Sequence, residues 1–83
     1  MYKVYILKSR KNQKHYTGHS ADLEKRIFRH NSGLVKSTKN SIPWELVYTE
    51  EYATRSDAYQ RELEIKSYKG GIKFKRLLGL WKD

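Results

Sequence analysis

Val4, Tyr5, Ile6 and Leu7 form the densest apolar run in the chain, and with Lys3 and Lys8 at its margins it predicts a strand over Tyr2–Lys8. The polar stretch Ser9–Gln13 predicts a turn, and Lys14–His19 the returning strand of a hairpin. Ser20 then stands as an N-cap, Asp22 and Glu24 suit the positive end of a helix dipole, and Leu23, Ile27 and Phe28 supply apolar contacts. That helix is expected from about Ala21 to Asn31, stopped by Asn31-Ser32-Gly33. Gly33–Pro43 is polar, basic and aperiodic, which predicts an exposed loop with room for one short helical turn. Trp44–Tyr52 alternates as a third strand. Thr54 or Ser56 caps a second helix running to about Tyr68, broken by Gly70-Gly71. Ile72–Leu80 follows as a short last helix with Ile72, Leu77, Leu78 and Leu80 as its apolar contacts. The order β-β-α-β-α-α predicts a compact α+β fold. A chain of 83 residues holds one core and not two, so residues 1–83 are expected to form a single domain.

Composition changes the picture in two ways. Seven Tyr, two Trp and two Phe give a short chain enough ring area to fold without staples, and the absence of Cys removes disulfides, Cys-based zinc sites and thiol nucleophiles together. Eighteen Lys and Arg against nine Asp and Glu leave a formal charge of +9. Such a field attracts polyanions, nucleic acid first and then an anionic membrane or an acidic protein. No apolar run approaches the length of a membrane span, and no signal-peptide hydrophobic region follows Met1, so a cytoplasmic protein with no membrane partner is expected.

Several residues sit where packing alone would not put them. Across a tight hairpin loop of even length, Tyr5 and Tyr16 share one face, either as a cross-strand aromatic pair or as two presented phenols. Gly18 marks a bulge or a close approach to the backbone. On the first helix Leu23, Arg26, Ile27 and His30 fall in one stripe, so Arg26 and His30 lie at the edge of the core face. They are satisfied rim residues, or donors reaching toward an anion that the planar guanidinium fork suits. On the second helix Glu62 shares the stripe of Ala58 and Ile65, whereas Glu64 projects outward as a solvated charge. An acid there needs a partner: Arg26, or a divalent cation such as Mg²⁺ or Mn²⁺. Lys25, Arg29, Lys36 and Lys39 are solvated charges singly and a phosphate-tracking groove together.

Lys3-Val4-Tyr5, Tyr16-Thr17-Gly18, Arg26 ten residues after Tyr16, His30 one helical turn on, and Glu62 within Arg61-Glu62-Leu63-Glu64-Ile65-Lys66 stand in this order along the chain. The set resembles the GIY-YIG nuclease superfamily. Together with His30-Asn31-Ser32-Gly33 and Trp44-Glu45-Leu46-Val47-Tyr48, it resembles the small stand-alone branch related to the N-terminal nuclease domain of excinuclease C, over nearly the whole chain. The resemblance implies a central three-stranded antiparallel sheet flanked by helices and a shallow cationic active surface. It implies phosphodiester cleavage with one divalent ion, Mg²⁺ or Mn²⁺, held by Glu62. Tyr5 and Tyr16 would surround the attacking water, with Tyr5 taken as the base by analogy. Arg26 would stabilise the phosphoryl oxygens and His30 would orient a tyrosine or phosphate, while Gly18, Lys25 and Arg29 would meet nucleic acid. Arg26, the cation and the positive field are expected to pull a phenol below its usual ~10. Lys3 replaces the first Gly of the motif, and no Asn follows Gly71, which removes one contribution to the site.

The implied activity is a divalent-metal-dependent endonuclease acting on DNA in repair or recombination. The alternative is a nucleic-acid-binding module of the same fold with little or no cleavage. A protein partner supplying specificity suits either, since so short a chain has almost no room for a separate specificity domain. A third reading is a basic protein-interaction domain.

Overall fold

The computed structural model describes residues 1–80, and residues 81–83 of the expected domain lie outside the described residues. Val4, Tyr5, Ile6 and Leu7 are all fully buried, so the strand that carries them is covered on both faces. This is β1, Tyr2–Ser9. It occupies the centre of an antiparallel sheet ordered β2-β1-β3, with β2 at His15–Ser20 and β3 at Trp44–Tyr52. The order of elements and the three-stranded antiparallel sheet agree with expectation.

Alternation splits the central strand between two cores. Val4 and Ile6 pack with Ala58, Ile65 and Phe74 on one face. That face is covered by α2, Arg55–Ser67, and α3, Ile72–Leu77. Tyr5 and Leu7 pack with Trp44 on the other, against Leu23 and Ile27 of α1, Leu23–Asn31. Asn31 closes the end of α1 onto β3: its side-chain amide donates to the Trp44 carbonyl at 3.1 Å, and its oxygen accepts from the Trp44 N–H at 2.6 Å. On the opposite face Arg61 donates two hydrogen bonds to Glu50, at 2.9 and 3.0 Å, tying α2 to β3. Burial alone would raise the Glu50 carboxyl, but hydrogen bonds from Arg61, Tyr48 and Tyr52 outweigh it and hold the group at about 2.

Four expectations need correction. Asp22, rather than Ser20, caps α1, because its carboxylate accepts the Lys25 N–H at 3.1 Å. Ser20 is used one step earlier, accepting the Asp22 N–H and so shaping the approach to the helix. Phe28 is 67% exposed, since the inward stripe of α1 is filled by Leu23, Ile27 and His30, and Phe28 lies one residue's turn beyond it. The last helix ends at Leu77, with Gly79 in the left-handed region at φ +73, which leaves Leu80 exposed; Ile72 faces solvent as well. The segment Gly33–Pro43 contains the expected short turn, a 3₁₀ helix at Lys39–Ser41, but is not exposed throughout. Thr38 and Ser41 are buried, held by Trp44 Nε1–H donating to the Thr38 carbonyl at 3.0 Å and the Ser9 hydroxyl donating to the Ser41 carbonyl at 2.6 Å.

The division between the two cores predicts unequal costs. Ile6→Ala is expected to destabilise by ~2–5 kcal/mol in urea unfolding, whereas Phe28→Ser is expected to stay within ~0.5 kcal/mol of the parent.

Candidate active site at the sheet edge

The site begins with a missing side chain. Tyr5 pairs with Gly18 across the hairpin, and Leu7 with Tyr16, so Tyr5 and Tyr16 lie diagonally on the α1 face of the sheet. The Tyr5 ring crosses over Gly18 toward the β2 edge. A Cβ at position 18 would meet Tyr5 Oη at 2.7 Å, Tyr5 Cζ at 2.8 Å and Tyr16 Cε1 at 3.1 Å. Gly18 is thus the floor beneath both phenols, buried under them and not open to a ligand. The two rings stand 6.2 Å apart.

The first helix delivers the other polar groups. Its residues Leu23, Arg26, Ile27 and His30 are the least exposed of the helix, as the stripe predicts, but His30 is fully buried and not at the rim. Its Nε2 lies 3.0 Å from Tyr5 Oη and its Nδ1 lies 2.8 Å from Thr38 Oγ1. The Arg26 guanidinium lies beside both phenols, and their oxygens favour its charged form. Tyr5 is fully buried, while Tyr16 is half-buried and keeps a path to solvent. Lys25 and Arg29 project from the outer side of α1 and are exposed.

Glu62 comes from the other layer. It is the expected third member of the α2 stripe, buried with Ala58 and Ile65, and therefore belongs to the face opposite α1. There it meets His19, the neighbour of Gly18 whose side chain points through the sheet the other way. His19 Nδ1 lies 2.6 Å from Glu62 Oε1, and Lys66 Nζ donates to Glu62 Oε2 at 2.6 Å. The acid is thus paired with His19 and Lys66 and not with Arg26. Its charge still reaches Tyr5, where it opposes ionisation. The five residues do not gather above one face: four meet on the α1 side of β2, and the carboxylate waits on the far side of the same edge strand.

Residues 1–74 match the GIY-YIG catalytic domain. The chain belongs to the GIY-YIG family. Membership implies nuclease-type chemistry on nucleic acid, and nucleases of this family generally depend on a divalent metal. A UPF0213 protein of Staphylococcus saprophyticus is 45% identical over 73 residues, covering 87% of this chain and 88% of the relative. One from Staphylococcus aureus is 46% identical over 66 residues, covering 78% and 79%. The solution NMR structure of a UPF0213 protein from Bacillus halodurans shares 33% identity at a TM-score of 0.60, covering 96% of this chain and 85% of that one. The GIY-YIG chain is therefore similar to small stand-alone proteins along nearly its whole length. Among the described residues no helix is long and apolar enough to cross a membrane.

The donor set of this GIY-YIG domain limits how it could hold a cation. Among the described residues no three His, Cys, Asp or Glu side chains gather as a ligand cage. A divalent ion would take one carboxylate, Glu62, and complete its shell with water and phosphate oxygens, a mode natural to Mg²⁺. The site fits on that condition, with the exposed Lys66 ammonium, now on Glu62 Oε2, giving way. His19 and Lys66 escaped the sequence reading. The i,i+4 spacing could have paired Lys66 with Glu62, whereas strand parity only sets His19 on the face away from Tyr5 and Tyr16. Thr38 lies in an aperiodic segment that gave no such signal.

Electrostatics reverse one expectation. Burial raises the Tyr5 phenol to about 12 despite the neighbouring Arg26, so this tyrosine stays protonated at neutral pH. Burial, and then the Arg26 charge, lower the His30 imidazole from 6.5 to about 4. Between these two values the unfolded chain binds a proton that the folded one refuses, so this contribution to stability is complete above 6.5 and falls as pH drops toward 4. Its full loss amounts to roughly 3 kcal/mol. Urea unfolding from neutral pH downward is expected to show the slope, and His30→Gln to flatten it. His15, also lowered by burial, keeps its share in both proteins. Gly18→Ala is expected to destabilise by ~1–3 kcal/mol, because the buried Tyr5 ring has nowhere to retreat; a thermal melt of the variant checks it.

Proposed function

We propose that this chain is a cytoplasmic, divalent-metal-dependent endonuclease that hydrolyses DNA phosphodiester bonds in repair or recombination, with its reacting phosphate seated on the β2 edge beside Tyr16 and His19. The observation that carries the reading is the convergence of two phenols, a guanidinium and an imidazole over Gly18, with a buried carboxylate on the neighbouring residue's side of the strand. The net charge of +9 supplies the long-range attraction for a polyanion.

Within this reading each residue has a distinct task. Tyr16 is the phenol that solvent reaches, so the attacking water meets Tyr16 and not the sealed Tyr5. This departs from the assignment of the base to Tyr5 by family likeness. Arg26, held between the two phenols, faces the phosphoryl oxygens and stabilises the charge that grows on them. Tyr5 and His30 hold Arg26 and Tyr16 in place from below. Glu62 would bind the Mg²⁺ or Mn²⁺ ion, which when bound supplies Lewis-acid polarisation of the phosphate. Lys25 and Arg29 on the outer side of α1 would contact flanking phosphates, and a protein partner would add specificity.

Cleavage of labelled DNA with Mg²⁺ or Mn²⁺ tests the assignment. Arg26→Ala and Glu62→Ala are each expected to slow cutting on the order of a hundredfold, and Tyr16→Phe to be more harmful than Tyr5→Phe, with salt-sensitive binding retained throughout. One observation favours a second reading, a nucleic-acid-binding module with little cleavage: both Glu62 oxygens are already engaged by His19 and Lys66. Binding without cutting in the parent protein would establish that module and overturn the nuclease.

A further inference from the structure

We propose that Thr38 is a positioning residue for this site, fixing His30 as the tautomer protonated on Nδ1 and thereby turning the Tyr5 oxygen toward Arg26. The inference deepens the nuclease reading and rests on it for its catalytic consequence, though not for its structural content.

The geometry is a single line of buried polar groups. Arg26 lies beside Tyr5; Tyr5 Oη lies 3.0 Å from His30 Nε2; His30 Nδ1 lies 2.8 Å from Thr38 Oγ1; and the Thr38 hydroxyl donates to the Val35 carbonyl at 3.4 Å. Tyr5, His30 and Thr38 are at most 1% exposed, so water cannot repair a wrongly directed bond anywhere between them.

Both ends of the line are one-way groups. A guanidinium only donates, and a carbonyl only accepts. Directed at the Val35 carbonyl, the Thr38 proton leaves the hydroxyl oxygen to accept from His30, which puts the ring proton on Nδ1. Nε2 is then a bare lone pair and must accept from the Tyr5 hydroxyl. The Tyr5 oxygen is left with its lone pairs for Arg26. The opposite tautomer would carry hydrogen on Nε2, drive the Tyr5 proton toward the guanidinium, and set donor against donor at the residue that faces the phosphate. A ring held neutral by burial, as His30 is, has only these two forms to choose from. A threonine eight residues along the chain from the histidine therefore decides how the catalytic arginine is held.

The direct test is ¹H–¹⁵N long-range NMR of the His30 ring at neutral pH in the parent protein, Thr38→Ser and Thr38→Val. The parent and Thr38→Ser are expected to show hydrogen on Nδ1 and a bare Nε2, and Thr38→Val to shift toward hydrogen on Nε2. In cleavage assays Thr38→Val is expected to lose roughly 10–100-fold, the range seen when a partner fixing a functional histidine is removed, and Thr38→Ser to stay near the parent. A parent ring protonated on Nε2 overturns the proposal, and so does a Thr38→Val ring that keeps its proton on Nδ1. If Thr38→Val does not fold, the parent and Thr38→Ser spectra still decide the tautomer. If the tautomers follow expectation but no variant or parent cuts DNA, the nuclease reading fails while the assignment of Thr38 stands.

Discussion

A phenol hydroxyl carried into a region closed to water has to find partners there, and in this protein that requirement organises one whole face of the sheet. Tyr5 belongs to the central strand and is fully buried, so its oxygen cannot fall back on solvent. Gly18 gives the ring room to lie across β2, His30 closes the oxygen from below, and Arg26 comes within reach from the side. The same enclosure raises the phenol and lowers the imidazole, so neither carries charge at neutral pH. The charged group that stays beside these two neutral ones is Arg26. Burial thus divides the cluster in two: Tyr5 and His30 inside, Tyr16 and Arg26 at the opening.

The second face contributes a single carboxylate by a separate route. Glu62 is buried on α2 beside Ala58 and Ile65, where an acid without partners would be costly, and His19 and Lys66 satisfy both its oxygens. Successive residues of a strand point to opposite faces, so Gly18 and His19 bring the two halves together with only the edge strand between them. An edge strand is open to a polymeric substrate of the kind the proposed function names, which has to be approached from outside and not enclosed. Lys66 compensates the carboxylate, and its exposed ammonium can move without disturbing the core.

Much of this was legible in the sequence, for identifiable reasons. The element order followed from one dense apolar run, one alternating run and two capped helical stripes, all of which are local signals. The shared face of Tyr5 and Tyr16 followed from hairpin parity, and the inward turn of Arg26, His30 and Glu62 from helical spacing. The choice of face for Glu62 was not legible, because spacing gives the stripe of a helix but not the side of the sheet on which that helix docks. The depth of Tyr5 escaped for a related reason: strand parity cannot tell a half-covered residue from a sealed one, and the sealing comes from α1. Thr38 and Ser41 lie in an aperiodic segment whose order comes from tertiary hydrogen bonds to Trp44, His30 and Ser9. Phe28 shows the opposite error, an apolar residue beside a stripe that was already full.

The central claim is that the carboxylate and the phenol–guanidinium cluster act on one phosphate across the β2 edge. Titration of Mn²⁺ into isotopically labelled protein, read as paramagnetic broadening of backbone amide signals, tests this most directly. The expected result is early and selective broadening at Tyr16–Ser20 and Glu62–Lys66, with β3 and α3 spared. Broadening centred elsewhere, or spread evenly over the exposed acidic residues, would contradict it.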